Sequence, residues 1–461
     1  MKRTAPTKRT ALAAASAVLL ALPLTSCGGA SADDSGTVTV TIGYQSKTIN
    51  TVTAGTLLRS LGYFERELAA RGKREGVTYK VKWQDYATGA PITAQMTAGK
   101  IDIGSMGDFP LLINAARGTQ LNRPTKLVSV TGYNLRGGLN TIVTGTDSKL
   151  SALRDLRGKK VSTSVGSAAD GTLVRALRQA GIDPEKDIRK LNQQPAVGAS
   201  ALQAGSADAL SQFVAWPGLL AFQDRARALY DGAELDLPTF HGVTARDDFA
   251  KKRPGVLEDF LRAQAKATDH LNKQPVAAAE TVAKATGLPS EVVYLYNGAH
   301  GIATFDPTIK PALVAALKKD VPVLKSAKLV GDVDVDAFVD ERYVKKAYGD
   351  GYASALTATP KPPRSELWLK GENKTRSFAE PADMLRQAAA HQGKVRAAYV
   401  PDTTTGTSWF ADKAVWVADG EKLLPFVTPS TATAYTKAHP GARTISYKQA
   451  LTHNAAQGQA S

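Results

Sequence analysis

The chain has one cysteine, Cys27, in 461 residues. An internal disulfide is therefore excluded, and the fold must hold through core packing. Histidine is scarce as well. The six copies, at 241, 270, 300, 391, 439 and 453, show no metal-ligand spacing and read as surface or core residues. No C-x-x-C, H-E-x-x-H, G-x-S-x-G or G-x-x-x-x-G-K-[ST] motif occurs, which removes the common redox, zinc-protease, hydrolase-elbow and phosphate-loop chemistries. Past residue 24 no apolar run reaches the roughly 20 residues that span a bilayer. No catalytic residue, metal ligand or cofactor is assigned on these grounds.

What is present is an ordinary globular composition, 43% hydrophobic and 22% charged, with a net charge of +16. Residues 1–26 hold four basic and no acidic side chains, so the remaining 435 residues carry +12. Lys and Arg are scattered in short groups such as Lys251-Lys252-Arg253 and form no RNA- or DNA-binding signature. The excess reads as a solvated basic surface beside an anionic membrane, with no nucleic-acid partner.

The start of the chain carries an address. Lys2, Arg3, Lys8 and Arg9 precede the 14-residue apolar stretch Ala11 to Leu24, which has the length of a signal-peptide core. Leu24-Thr25-Ser26-Cys27, followed by Gly28-Gly29, resembles the lipobox of bacterial lipoproteins. The resemblance implies that residues 1–26 are removed and that Cys27 is acylated. The protein would then be lipid-anchored on the extracytoplasmic face of the cell membrane, with 27–37 as a tether.

A βα rhythm follows. Val38 to Tyr44 alternates at period 2, residues 55–71 place Leu57, Leu58, Leu61, Phe64 and Leu68 at helical spacing, and Val77 to Trp83 alternates again. A helix over 90–98 leads into Lys100-Ile101-Asp102-Ile103-Gly104. The rhythm restarts at 139, and 168–180 reads as a helix with Ser167 as N-cap, Asp170 three residues on and Gly181 at its end. Alternating strands and helices imply parallel pairing and an α/β fold. The divisions are 38–138 plus 241–345 as lobe one, 139–240 as lobe two and 346–364 as a linker. A C-terminal unit covers 365–451, and 452–461 is a frayed tail.

Four turns can approach a ligand in the cleft between two such lobes, where open α/β sheets place their ligands. They are Gly43-Tyr44-Gln45-Ser46, Gly104-Ser105-Met106-Gly107-Asp108-Phe109-Pro110 after a strand Ile101 to Ile103, Ser164-Val165-Gly166-Ser167-Ala168-Ala169, and Phe213-Val214-Ala215-Trp216-Pro217. The capped helix after Ser167 offers free N–H groups to an anion. The candidate ligand-binding residues are Tyr44, Gln45, Ser105, Gly107, Asp108, Gly166, Ser167, Ala168 and Trp216.

The order of these motifs resembles the nitrate/sulfonate/taurine class of ABC-importer solute-binding proteins over about 38–345. It runs from Ile42-Gly43-Tyr44-Gln45 through Ala98 to Gly104, Leu153 to Val161 and Val165-Gly166-Ser167, to Gly205-Ser206-Ala207-Asp208-Ala209. The resemblance implies a bilobed periplasmic-binding-protein-like (type II) fold that closes on a small polar or anionic solute. It also implies permease subunits as partners, a monomeric state and no enzymatic activity. Gln45, Gly107, Asp108, Ser167, Ala168 and Trp216 would line the cleft. Asp108 either faces the pocket, suiting a ligand with an amine, or caps its own helix, leaving room for a plain sulfonate or nitrate. The enzymatic relatives, pyrimidine-precursor synthases of thiamine biosynthesis, carry a cysteine-rich signature that this chain cannot supply.

The C-terminal unit, α/β or α+β, resembles the copper-carrying accessory lipoprotein of nitrous oxide reductase (NosL-like). The resemblance rests on Glu366 to Gly371, Val395 to Asp402 and Ala411 to Val417. It implies a copper-handling role as the alternative function. Sulfur ligands for Cu(I) are wanting, because Met384 is the unit's one methionine.

Overall fold

The computed structural model describes residues 36–457. Residues 1–35, on which the expected signal peptide, Cys27 and most of the expected tether fall, lie outside the described residues. Among the described residues, no helix is long and apolar enough to cross a membrane.

The strands, in chain order, are β1 (Thr37–Tyr44), β2 (Thr78–Asp85), β3 (Ile103–Gly107), β4 (Thr125–Asn134), β5 (Asn140–Thr144), β6 (Lys160–Thr163), β7 (Arg189–Asn192), β8 (Ala209–Phe213), β9 (Arg227–Asp231), β10 (Thr239–Arg246) and β11 (Thr304–Phe305). They form two sheets. The first has the order β11-β4-β10-β3-β1-β2, the second β7-β6-β8-β5-β9. In the first, β1 runs parallel to β2 and β3, and the returning β10 is antiparallel to β3 and β4. In the second, β6 runs parallel to β7 and β8, while β5 is antiparallel to β8 and β9. The chain crosses between the sheets at 135–139 and 232–238. The crossings are tied by Leu237 N–H to Arg136 O (3.1 Å) and by an ion pair between Arg136 and Asp236 (3.1 Å).

The β3 region differs from the sequence expectation. Residues 101–103 read as the strand and 104–110 as a turn, yet the strand runs 103–107 and the helix Asp108–Gln120 starts at once. Glycines at 104 and 107 suggest a turn but here admit neighbours. A Cβ on Gly104 would sit 2.7 Å from the Ile92 side chain. The helix over 55–71 is two pieces, Thr56–Leu61 and Tyr63–Glu75, because Gly62 takes a left-handed conformation at φ 64°.

Beyond 345 two expectations fail. The linker 346–364 is largely helical, in Arg342–Tyr348 and Gly351–Thr357, since Tyr352 is buried against lobe one. The frayed tail is ordered up to 457 as part of the helix Tyr447–Gln457, anchored by buried Ala450.

The C-terminal unit holds β12 (Ser365–Leu369), β13 (Arg376–Phe378), β14 (Val395–Pro401), β15 (Ser408–Phe410), β16 (Val415–Asp419), β17 (Lys422–Phe426) and β18 (Arg443–Ile445). Their sheets, β13-β12-β14-β15 and β17-β16-β18, are antiparallel throughout, so the unit is α+β. It does not stand apart. Trp368, Tyr399, Trp409 and Phe410 share one buried cluster with Tyr294 and Val292 of lobe one and Ala215, Ala221 and Ala228 of lobe two.

Candidate ligand-binding site

A cavity of about 180 Å³ lies between the two sheets. Lobe one supplies Gln45, Thr88, Gly89, Ala90, Gly107, Pro110 and His241; lobe two supplies Ser164 to Ala168, Asn192, Gln194 and Phe213. No Lys, Arg, Asp or Glu is among these lining residues.

Four helices begin at this cavity, each of nine residues or more. Gly89 and Ala90 open the helix Gly89–Thr97, and Gly107 precedes Asp108–Gln120. Ser167 caps Ala168–Gln179, and Gln194 precedes Pro195–Gln203. Each helix start carries N–H groups without intrahelical partners and about half a positive charge from the macrodipole. Four starts gather N–H donors around one small space without a formal cation, and the first turns after Gly107 and Ser167 also hold the buried acids Asp108 and Asp170. Thr88 adds to these donors, for its hydroxyl is buried, makes no cap bond and has no partner.

Local chemistry places each piece. Ser167 Oγ accepts from Asp170 N–H (3.3 Å), and Asp170 in turn accepts from Gly166 N–H (3.0 Å), one residue upstream of the usual capping-box donor. Gly166 sits at φ +81°, and a Cβ there would lie 3.1 Å from Ile113 of the opposite lobe. Gln45 Nε2 donates to Ser105 O (3.0 Å), which ties the end of β1 to β3. His241 is 3% exposed, and Asn50 Nδ2 donates to its Nδ1 (2.5 Å). Burial lowers the pKa of this imidazole to about 3, so it is neutral.

Of the nine candidate residues, Gln45, Gly107, Gly166, Ser167 and Ala168 come together around the cavity. The other four do not line it. Tyr44 is buried, accepts from Arg59 Nη1 (2.6 Å) and meets Trp83 edge-on at 5.8 Å. Ser105 points its hydroxyl into the interior, where it has no partner. Asp108 is 1% exposed and turns inward, accepting from the backbone N–H of Phe109 (2.8 Å) and Phe240 (3.3 Å). Burial pushes its carboxyl up to about 6. Asp108 is the first residue of its helix, which Gly107 opens without a side-chain cap, and its carboxyl is taken up by these two backbone N–H groups. Trp216 opens the helix Trp216–Phe222 and packs half-buried on Val143, Ala199 and Leu220 within lobe two. Phe213, three residues earlier, is the aromatic at the cavity.

The sequence reading passed over Thr88, Asn192, Gln194 and His241. Thr88 and Gln194 stand at helix starts that Gly89 and Pro195 could have marked, and Asn192 ends the strand β7. His241 had no local signal, because its strand returns to face Gly107 from 134 positions along the chain.

Two other places lie apart from this cavity. A groove of about 610 Å³, lined in part by Tyr133, Asn272, His300, Pro362 and Thr407, separates lobe one from the C-terminal unit, away from the converging helix starts. Met384 is fully buried in the core of the C-terminal unit beside Leu367, Leu385 and Trp416, so its thioether does not face a surface copper ion.

A two-lobed α/β protein with a ligand-sized cavity between its lobes has the bilobed fold of periplasmic-type solute-binding proteins. Comparison with known proteins makes this more particular. Residues 73–278 match the family model described as NMT1/THI5 like. The putative aliphatic sulfonates-binding protein of Escherichia coli K12 is 30% identical over 242 residues, 52% of this chain and 72% of that relative. The taurine-binding periplasmic protein of the same organism is 26% identical over 62% of this chain and 84% of its own length. The alkanesulfonate-binding protein SsuA from Xanthomonas axonopodis pv. citri, solved with MOPS bound, superposes with a TM-score of 0.55. It shares 23% identity over 66% of this chain and 98% of that one. The chain belongs to the NMT1/THI5-like family.

Proposed function

We propose that this protein is the extracytoplasmic solute-binding component of an ABC importer, and that it captures a small sulfonate in the inter-lobe cavity. The carrying observation is the meeting of four helix starts at a cavity lined by neutral donors. A monovalent, tetrahedral head group with three acceptor oxygens suits such a site. The names of the relatives point to the same chemistry. A cavity of about 180 Å³ fits a short chain better than a bulky one. Lobe closure would then present the loaded form to permease subunits.

Anchoring through an acylated Cys27 belongs to the same proposal. Replacing Cys27 by Ser should move the protein from the membrane fraction to the soluble fraction of expressing cells; persistent membrane association would refute the anchor. The NosL-like reading of 365–451 rests on its sequence motifs, and the copper role has no support in the position of Met384.

The function is tested by thermal unfolding of the full chain carrying Cys27→Ser, with methanesulfonate, ethanesulfonate, taurine or nitrate. A ligand at 100 times its Kd adds about 2.7 kcal/mol of stability, a shift of a few degrees in a protein this large. A shift with a sulfonate supports the reading. A shift with nitrate alone would reassign the solute, and no shift with any of the four would reject the sulfonate class.

A further inference from the structure

The sulfonate reading leaves open which side chain recognises the head group, and we infer that His241 does so, as a neutral donor whose orientation Asn50 fixes. The inference rests on that reading and goes beyond it by naming the residue and the hydrogen it offers.

The two ring nitrogens of His241 have different surroundings. Asn50 Nδ2 can only donate, so His241 Nδ1 accepts from it and carries no hydrogen. The proton of the neutral imidazole therefore sits on Nε2. That nitrogen lies over Gly107, where a Cβ would approach it to 3.2 Å. Gly107 and His241 both line the cavity. The ring is 3% exposed, and among the described residues no hydrogen-bond partner holds its Nε2. An unpartnered N–H on a buried residue that lines an anion-sized space bordered by four helix starts can donate to the anion's oxygens. The glycine at 107 follows from the same geometry, because any side chain there would displace the imidazole.

Neutrality matters to the kind of ligand. A protonated histidine would tie binding to pH and favour divalent anions. A neutral donor beside helix dipoles holds a monovalent sulfonate at any pH where the imidazole stays unprotonated. Burial, which keeps this ring far below the usual histidine range, is what makes that possible.

The test uses the full chain with Cys27→Ser and ethanesulfonate as probe, read by titration calorimetry. His241→Leu keeps bulk without the donor and should weaken binding about tenfold or more, the loss of one hydrogen bond to a charged group. His241→Gln, whose amide nitrogen reaches the place of Nε2, should restore most of it. In parallel, ¹⁵N NMR of the wild-type imidazole should show the hydrogen on Nε2, and that signal should move on adding ethanesulfonate. Unchanged affinity in His241→Leu, or a hydrogen on Nδ1, would overturn the inference while leaving the sulfonate function intact. A wild-type chain that binds no ethanesulfonate would overturn both. If His241→Leu does not fold, the NMR signal decides.

Discussion

The two lobes touch on two sides, and the contacts are of opposite kinds. At the front, beside the cavity, the helix Ala168–Gln179 of lobe two meets lobe one through a small mixed contact, in which Val174 packs into the lobe-one core and polar groups reach the helix Pro311–Ser326. Arg175 Nη2 donates to Asp320 Oδ1 (2.7 Å) and Lys319 O (2.5 Å), and Arg178 to Ser326 Oγ (3.1 Å). The Phe109 ring lies against Gly171, where a Cβ would stand only 2.1 Å from the ring. At the rear, over the crossings, the C-terminal unit packs on both lobes at once. Tyr294 of lobe one stacks at 5.3 Å from Trp368 and 5.4 Å from Tyr399, and Phe222 of lobe two lies 5.5 Å from Phe410. Thr405 donates to buried Asp231 Oδ2 (2.7 Å), and Arg136 reaches the carbonyls of Thr404 and Thr405 (both 3.2 Å). A small contact gives up less when it parts than a close-packed aromatic core, which cannot open without losing its burial. The front is therefore the side built to move, and the rear the side built to stay.

The strongest way to break that contrast is at the rear. Trp368 is fully buried, its Nε1 donates to Glu372 O (3.1 Å), and the Arg396 guanidinium lies 3.9 Å from its ring centroid. Trp368→Ala should cost about 3–5 kcal/mol in a denaturant titration. If the C-terminal unit and lobes share one core, unfolding should remain a single transition in the wild type and split in the variant. A smaller effect is expected for Thr405→Val, which takes one hydrogen bond from the buried Asp231 carboxylate and should cost about 1–3 kcal/mol. Arg175→Ala at the front reverses the balance. It leaves the buried Asp320 without its partner, so it should lower the melting temperature, but by less than Trp368→Ala does, and it should weaken ethanesulfonate binding several-fold, because only the closed arrangement loses the Asp320 contact. Equal losses of stability from Arg175→Ala and Trp368→Ala would erase the distinction between the two sides.

How legible this was in the sequence follows the same line. Local devices could be read where they stand: Ser167 as an N-cap, Gly166 at a turn, the alternation of β1, and Gln45 at a strand end. The two-lobe plan was legible because strands and helices alternate twice. The features that failed depend on distant partners. Trp216 follows a strand end and invites a role in the pocket, but the helix it opens carries its ring onto the lobe's own core. The stretch 346–364 is rich in Gly, Ser, Thr and Pro, yet Tyr352 finds a buried seat whose hydroxyl accepts from Ile309 N–H (3.3 Å). His241 enters the cavity only because β10 returns across β3, a pairing no local pattern announces. The shared core at the rear was invisible for the same reason, since Trp368, Tyr399 and Phe410 read equally well as the interior of an independent unit.

The smallest expected effect, and the one that most sharpens the contrast, concerns charge at the front. Asp108 and Asp320 are both buried there; burial raises both carboxyls, Asp108 to about 6, and Asp320 is raised further by its neighbour's charge despite Arg175. For a carboxyl whose folded pKa lies above its unfolded value, near 3.9, the folded state holds the proton more tightly. Its stabilising contribution is then complete below about pH 4 and is lost as pH rises through 6. Asp108→Asn cannot ionise, and its amide gives up one of the two backbone N–H bonds that the carboxylate accepts, a cost that does not vary with pH. The stability of Asp108→Asn relative to wild type should therefore rise between pH 4 and 7 and level off above. A pH-independent difference would mean that Asp108 stays ionised in the folded protein, and that the front is held by charge pairing with Arg175 rather than by a contact that forms more readily as the pH falls.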